Sequence, residues 1–339
     1  MSGIQTPFQL HLQSRNARFA GACVEHFGDP HGERAALRAG PTLHPLTQDG
    51  LLHISGPDAQ SFLQSQLSND VGELGPARAQ LTTWCTSQGR MLATCIAWCE
   101  DEGYFLQLPL ELVSKVRTRL QRYVLRARAT LADASASRAL LGLAGKGALE
   151  AVAAVFDAVP ASPMQVVERA GARVILLHPG LYEVAVPAAQ APDLWDHLAQ
   201  RARPAGSRGW DWHRIHACLP SITAATQDRF TPQMADQERL GAVSFGKGCY
   251  PGQEIVARSQ YLGQVKRRLF RVHTEAGAMT AGQDILAEGS AVGTILNAAP
   301  APGGGSDGLA VLQAEAAARA LVLGETLAPL TVAAACHAT

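Results

Sequence analysis

The 339-residue sequence predicts an α+β fold with largely antiparallel sheets, followed by a small β-barrel. Residues 50 to 125 have the pattern strand, helix, three strands, helix. Residues 140 to 202 follow a similar order, although no repeat of fixed period is visible. After Gly263, short β-like segments are separated by glycine-rich turns. We therefore expect two related α+β units and a separate all-β unit.

The first unit begins with the strand-like segment GLLHIS at residues 50–55. A helix is predicted next, because Pro57 suits an early helical position and Ala59, Leu63 and Leu67 fall on one face. The segments AQLTTWCTS and RMLATCIAW alternate as strands around the turn SQGR, and YFLQL supplies a third strand. A helix from about residue 110 to 125 closes the unit.

The second unit is predicted from four segments. LLGLAGKGALEAVAAVF indicates a strand, a turn and a helix, ARVILLH and LYEVAVP indicate strands, and PDLWDHLAQRA indicates a helix. From KRRLFRVHT onwards, short strands and turns favour a barrel. The predicted division is an irregular N-terminal leader at 1–45, an α+β region at 46–262 and a β-barrel at 263–339. The leader is expected to be irregular because GDPHGER and AGPTLHPL interrupt any periodicity.

The charge balance argues against a strong overall field. Lys plus Arg number 29, and Asp plus Glu also number 29. No global attraction to nucleic acid or to an anionic membrane is therefore expected. The N-terminus lacks a basic start followed by an apolar run, and no uninterrupted apolar run reaches about 18 residues. We expect a cytoplasmic protein.

The seven cysteines are expected to be reduced thiols. An odd number, scattered at positions 23, 85, 95, 99, 218, 249 and 336, is not typical of a disulfide framework in a chain of this length. No CxxC pair is present, so no metal site is expected.

The segment GKGCYPGQE, residues 246–254, surrounds Cys249 with glycine, a lysine and a turn. Pro251 suits the first turn of a helix, so Cys249 is predicted at or just before a helix N-terminus. The helix NH groups and Lys247 would both favour the thiolate. The alternative is a glycine-rich loop joining two domains, with a small buried cysteine and Glu254 as a helix cap. Composition alone leaves both open.

The longer segment FGKGCYPGQEIVARSQYLGQVKRRL resembles the signature of the YgfZ family, folate-binding proteins linked to iron-sulfur cluster assembly. That signature reads K-G-C-Y-x-G-Q-E followed by V-A-R. All of its fixed positions are present here, at Lys247, Gly248, Cys249, Tyr250, Gly252, Gln253, Glu254, Val256, Ala257 and Arg258. ISGPDAQSFLQSQLSNDV, SQGRMLA, RIHACLPSI and RFTPQMADQERLGAVSFGKGC extend the resemblance over nearly the whole chain from about residue 46.

The resemblance implies an architecture shared with the T-protein of glycine cleavage, a tetrahydrofolate-dependent aminomethyltransferase. It implies an aminomethyltransferase-like fold, with ferredoxin-like antiparallel-sheet units around a central cleft and a C-terminal β-barrel. Its function would be to bind tetrahydrofolate or a derivative and to support iron-sulfur clusters in client enzymes or with assembly proteins. An effect on tRNA modification would then be indirect, without direct nucleic-acid contact.

The resemblance also assigns roles within the motif. Cys249 would act as a transient cluster ligand, a persulfide carrier or a redox thiol, and these three roles stay open. Lys247 would supply charge, and Gly248 and Gly252 would shape the backbone. Tyr250 would wall the cleft or pack. A separate pair, Gln253 and Glu254, would order the loop by hydrogen bonds, and Arg258 belongs to the same motif.

Three residues outside the motif are candidates for binding folate. Glu183, in HPGLYEVAVP, matches a T-protein glutamate that pairs with the pterin ring. Trp210, in RGWDWHRIHACLP, would stack on an aromatic ring of the ligand, or pack as a core residue. Arg214 would pair with a carboxylate of the folate tail. A second tryptophan of the family corresponds to Gly50 here, so the binding mode could differ.

Transferase chemistry is not expected, although it is the alternative function. The T-protein has two aspartates after the hairpin glycine, and these positions correspond to Leu92 and Ala93, which cannot transfer a proton. A row of cations, Lys115, Arg119, Arg122 and Arg126, follows one face of the predicted helix at 110–125. It is interpreted as a solvated face, with a polyglutamyl tail or tRNA phosphates as the alternative ligands.

Overall fold

The computed structural model describes residues 6–100, 103–261 and 265–337. Its N-terminal segment is regular, which corrects the prediction of an irregular leader at 1–45. The segment contains α1 (Pro7–Ser14), β1 (Arg18–Ala20), β2 (Cys23–His26), α2 (Pro30–Ala39) and β3 (Thr42–Pro45). The side chains of Thr6 and Asp29 accept first-turn NH groups at 3.2 and 3.0 Å, just before Pro7 and Pro30. The residues that suggested chain breaks are therefore helix-start signals.

The first α+β unit confirms the predicted element order and adds one strand. It contains β4 (Asp49–Ser55), α3 (Ala59–Gln64), β5 (Gln80–Cys85), β6 (Met91–Glu100), β7 (Gly103–Pro109), α4 (Leu110–Gln121) and β8 (Thr130–Asp133). The five strands form an antiparallel sheet in the order β5-β6-β7-β4-β8. Helix α4 ends at Gln121, before the predicted residue 125. Both helices share a buried apolar core with this sheet.

The second unit incorporates the N-terminal segment. It contains β9 (Arg138–Ala144), α5 (Ala148–Ala153), β10 (Val166–Arg169), β11 (Ala172–His178), β12 (Leu181–Pro187), α6 (Ala191–Ala199), β13 (Arg203–Pro204) and α7 (Ser207–His216). The sheet order is β10-β11-β12-β9-β3-β13. Strand β3 pairs antiparallel with β9 and parallel with β13. The N-terminal segment thus completes this sheet.

The C-terminal unit is a closed barrel, as predicted. Helix α8 (Gln253–Tyr261) precedes it, and its strands are β14 (Arg267–Thr274), β15 (Asp284–Ala287), β16 (Ser290–Pro300), β17 (Ser306–Gln313), β18 (Leu321–Leu323) and β19 (Pro329–Ala335). They close in the order β14-β17-β16-β15-β18-β19. Short 3-10 turns occur at Val71–Glu73, Pro232–Ala235 and Ala314–Ala318. The predicted boundary at 262/263 lies outside the described residues.

Helix α7 lies between the second sheet and the barrel. Trp212 donates from Nε1 to Asp307 of β17 at 2.7 Å, and Nε2 of His216 lies 2.9 Å from the same carboxylate. Just after the helix, Cys218 forms a disulfide with Cys336, with their Cα atoms 5.6 Å apart. This pair corrects the expectation that all cysteines are reduced. The two residues are 118 positions apart, so cysteine spacing did not indicate the pairing.

Over the described part of the chain, none of the helices combines the length and apolar character that crossing a membrane requires.

Candidate functional site

Two cavities occupy the central cleft. The outer cavity has a volume of about 730 Å³ and is lined by residues of β4, α4, α7 and the barrel. The inner cavity, of about 20 Å³, lies against β6 and β7. Asp49, Pro109 and Arg214 line both. Since ligand pockets commonly have volumes of about 300–1,000 Å³, the outer cavity has room for a cofactor.

Glu183, on β12, is fully buried and lies one hydrogen bond from the inner cavity. Nε2 of Gln107, which lines that cavity, donates to Oε2 of Glu183 at 3.1 Å and to Oδ2 of Asp49 at 3.3 Å. Within the described residues, Oε1 of Glu183 and Oε1 of Gln107 have no hydrogen-bond partner. Buried polar atoms are normally paired, so these oxygens are available to a ligand or to water.

The surroundings of Glu183 also alter its proton affinity. Burial raises the pKa of Glu183 to about 8, and the nearby Asp49 charge acts in the same direction. Burial likewise raises the pKa of Asp49 to about 6, while the positive charge of Arg214 opposes that shift. Glu183 is therefore largely protonated at neutral pH, and either carboxyl group can exchange a proton near neutral pH.

Arg214 and Trp210 both lie on α7, but only Arg214 lines the cavities. The Arg214 charge acts on the buried carboxyls, and its pairing with a folate tail stays a prediction. Trp210 is fully buried, and a Cβ atom added to Gly142 would lie 2.4 Å from its ring. The ring is thus packed against β9. This placement does not support the prediction that Trp210 stacks on a ligand.

The replacement of a family tryptophan by Gly50 has a physical reason in this chain. A Cβ atom at Gly50 would lie 2.7 Å from a Val113 methyl carbon and 2.8 Å from a Leu110 methyl carbon. The space that a larger side chain would occupy is therefore filled by α4. On its open side Gly50 lines a separate cavity of about 220 Å³.

Sequence reasoning missed three cavity residues. Gln107 donates to the carboxyl groups of both Glu183 and Asp49. Cys23 lines the outer cavity. Gln107 had a recognisable signal, because it is a polar residue within the apolar strand segment YFLQL. Asp49 lies one position before the strand predicted at 50–55, and Cys23 lies in the segment predicted to be irregular.

The Cys249 loop, residues 245–252, is a second site. Cys249 is exposed and is not among the residues that line the two cleft cavities. Helix α8 begins at Gln253, four positions after the cysteine, so Cys249 precedes the first turn instead of capping it. The exposed position contradicts the alternative of a buried cysteine. The structure places the predicted thiol and folate residues at two different sites.

Lys247 anchors this loop. Its side chain is buried, and Nζ donates to the carbonyl oxygens of Gln64 and Leu67 at 2.7 Å and of Asn69 at 2.9 Å. Burial lowers the pKa of Lys247 to about 8, whereas three acceptors favour the charged form. The lysine charge was expected to favour the Cys249 thiolate. In the structure the ammonium group instead binds the carbonyl oxygens at the end of α3 and in the segment that follows it.

The remaining motif residues differ in whether their side chains pack within the loop. Tyr250 is buried and Lys247 Nζ lies 5.4 Å from its ring centroid, so it packs within the loop. Gln253, Glu254 and Arg258 make no side-chain hydrogen bond or ion pair with any residue of 6–100, 103–261 or 265–337. The predicted ordering role of Gln253 and Glu254 is therefore not observed.

Two motif glycines differ in what the structure requires. Gly252 has a φ of +82°, and an added Cβ would lie 2.4 Å from the Thr86 carbonyl oxygen and 2.6 Å from Gly89 Cα. At Gly248 an added Cβ would meet no atom within 4 Å. Gly252 is thus needed for contact with the β5–β6 turn, whereas the fold does not require Gly248.

We expect Gly252→Ala to lower the free energy of unfolding by about 2 kcal/mol, because it combines a left-handed backbone with a backbone clash. Gly248→Ala is the matched control and is expected to change it by less than about 0.5 kcal/mol. Urea denaturation measures both. Equal stability of the two variants would show that the contact with the turn is not formed.

Comparisons with known proteins bear on the family and the fold. A family model described as GCVT N-terminal domain matches residues 26–244. A Klebsiella pneumoniae (strain 342) protein named tRNA-modifying protein YgfZ is 33% identical over 259 residues, which cover 76% of this chain and 79% of that protein. The protein of the same name from Pectobacterium carotovorum subsp. carotovorum (strain PC1) is 31% identical over 254 residues, covering 74% and 76%.

Among solved structures, the glycine cleavage system aminomethyltransferase T from Bartonella henselae matches 97% of each chain with a TM-score of 0.79. The two sequences are 17% identical. The match therefore establishes the aminomethyltransferase-like fold.

Proposed function

This chain belongs to the YgfZ family, and on that basis we propose that it binds a tetrahydrofolate-type cofactor in the central cleft and supports assembly or repair of iron-sulfur clusters in client enzymes. The observation that carries the folate proposal is Glu183, a fully buried carboxyl with one unpaired oxygen. Gln107 links it by hydrogen bonds to Asp49, which lines the cavity of ligand size. The relatives are named tRNA-modifying proteins. Here the effect on tRNA is exerted through iron-sulfur enzymes that modify it.

The donors of a pterin ring suit the site around Glu183. Neighbouring NH groups of the ring match the two oxygens of a carboxylate. Oε1 is unpaired, and Gln107 occupies Oε2. The inner cavity, at about 20 Å³, holds about one water molecule, so a ring that reaches Glu183 requires the Gln107 side chain to move. The outer cavity accommodates the rest of the cofactor.

Cofactor binding at pH 7 is expected to release close to one proton. With a pKa of about 8, Glu183 is mostly protonated in the free protein, whereas pairing with two donors requires its ionised form. Affinity should therefore fall as the pH drops below about 8, by up to tenfold per pH unit. Calorimetry with tetrahydrofolate, in buffers of different ionisation enthalpy, measures both effects.

Glu183→Gln should remove the proton release and weaken binding at least tenfold. Glu150→Gln, at an exposed position of the same unit, is the control and should bind as the unmodified protein does. Absence of saturable tetrahydrofolate binding by the unmodified protein would reject the cofactor proposal. Unchanged binding by Glu183→Gln would place the ring elsewhere in the cleft.

Cys249 is the residue proposed to act on iron-sulfur clients. Its exposure makes the sulfur accessible to a second protein, and the Lys247 anchor fixes the base of its loop. One cysteine cannot hold a cluster alone, so any cluster contact requires ligands from a partner or a small molecule. A transient cluster ligand, a persulfide carrier and a redox thiol all fit this position.

One observation favours a folate-dependent one-carbon transferase as the second candidate. The positions of the T-protein aspartates hold Leu92 and Ala93, which are buried and apolar. The acid at the end of the same strand, Glu100, accepts a hydrogen bond from Trp98 Nε1 at 3.1 Å and forms an ion pair with Arg138. However, Asp49 lines both cavities, and its raised pKa suits proton transfer. Turnover of methylene-tetrahydrofolate with amine carriers tests this. Transfer beyond one equivalent that is lost in D49N would establish the transferase, and no turnover would favour the accessory role.

A further inference from the structure

The cations of this neutral chain are concentrated at the end of α4 and in the loop that follows it. Residues 112–132 contain no Asp or Glu. The same stretch contains six cations, Lys115, Arg117, Arg119, Arg122, Arg126 and Arg128. We call these residues, together with Tyr123, the α4 basic surface. This surface produces a local positive field, although the net charge of the whole chain is zero.

Most of these charges are not neutralised by the fold. Arg128 pairs with Asp58 at 3.1 Å, and Lys115 donates to Gln227 at 2.6 Å. The other four arginines make no ion pair or hydrogen bond with any residue that the structure describes. Arg122 and Arg126 are exposed. Their guanidinium groups are thus available to an anionic partner.

An aromatic ring lies among these cations. Helix α4 ends at Gln121, which places Tyr123 in the following loop with 47% of its surface exposed. The guanidinium carbon of Arg119 lies 5.6 Å from the ring centroid of Trp84, so this arginine contacts the first sheet. Exposed aromatic rings flanked by arginines are typical of surfaces on which nucleic-acid bases stack.

We propose that the α4 basic surface binds a single-stranded or looped segment of RNA. A protein partner usually presents charges of both signs, whereas a phosphate backbone is uniformly negative and matches a segment whose only described acidic partner is Asp58, at Arg128. Five of the six cations are arginines, whose planar group binds phosphate through two hydrogen bonds. Looped RNA exposes bases that can stack on Tyr123.

A chain of contacts links the α4 basic surface to the Cys249 loop, starting from Arg119 over the ring of Trp84. Trp84 forms a β-bridge with Leu67, whose carbonyl accepts from Lys247 at 2.7 Å. Bound RNA would therefore lie close to the anchor of that loop. This proposal does not depend on folate binding or on the chemistry of Cys249, and it adds a direct RNA contact to the indirect effect proposed above.

Binding of unfractionated tRNA, followed by fluorescence anisotropy, tests the proposal. At about 50 mM salt the unmodified protein should bind saturably, and affinity should fall steeply as salt is raised. The triple variant R117Q/R122Q/R126Q should bind at least tenfold more weakly, with a salt slope lower by about two. Y123A should also weaken binding, whereas Tyr123→Phe should not, because a phenyl ring still stacks.

The control is R18Q/R201Q/R319Q, which removes the same charge from exposed positions elsewhere and should retain affinity within about twofold. Poly-L-glutamate is the second probe. No saturable tRNA binding, or equal losses in the two triple variants, would overturn the proposal. Tighter binding of poly-L-glutamate than of tRNA through the same arginines would assign the surface to an acidic protein instead. If the first triple variant is unfolded by circular dichroism, the comparison of Y123A with Tyr123→Phe decides.

Discussion

Cys249→Ser is expected to leave the fold and tetrahydrofolate affinity unchanged while client iron-sulfur enzyme activity in cells falls to the level of a deletion strain. The side chain is exposed and lines neither cleft cavity, so its replacement removes no packing or cofactor contact. A serine hydroxyl cannot form a persulfide and does not replace thiolate in cluster binding. The measurement is the activity of a client enzyme in a deletion strain that expresses the variant.

Cys99→Ser is the matched control, because Cys99 is a half-buried thiol that lines neither cleft cavity. It should restore client activity in the deletion strain. Full restoration by Cys249→Ser would refute the functional assignment of the loop. Loss of tetrahydrofolate binding in Cys249→Ser would show that the loop and the cleft are not independent sites.

Lys247→Met is expected to lower the free energy of unfolding by about 3 kcal/mol, because it removes three hydrogen bonds from a charged donor. Methionine fills much of the same volume, so the lost free energy of unfolding comes from the missing hydrogen bonds and not from a cavity. Client activity should fall as well, since the base of the Cys249 loop is released. Urea denaturation of the purified variant gives the stability change.

Lys146→Met provides the comparison for the lysine substitution, because Lys146 is exposed and its replacement should cost less than about 0.5 kcal/mol. Equal stability of the two variants would mean that the three carbonyl contacts do not hold the loop. Cys249→Ser should retain full stability in the same experiment. Substitution of Lys247 would then lower stability as well as client activity, whereas substitution of Cys249 would lower client activity alone.

The fold could be predicted where local patterns determine it. Strands β4 to β7 follow from alternation and turn residues, and the barrel follows from short segments between glycines. Strands β3 and β8 have four residues each, and only distant pairing reveals them. The N-terminal helices were missed because proline and glycine were interpreted as breaks, although Asp29 and Pro30 together form a helix start.

The site was predictable only in part, for a similar reason. Family resemblance identified Glu183 and Cys249, but the partners that define their surroundings are far away in sequence. Gln107 is 76 positions from Glu183, and the carbonyl oxygens bound by Lys247 belong to residues 178 to 183 positions earlier. Residue type also did not reveal that Trp210 is enclosed in the core.

Helix α7 carries Arg214 to the cleft and Trp212 to the barrel, so one helix serves both. A fragment that ends after α8 would remove the barrel residues that line the outer cavity and would uncover the indole of Trp212. Limited proteolysis within the barrel should therefore abolish cofactor binding even though every carboxyl group of the inner cavity survives. Ligand studies of this protein require the barrel to be intact.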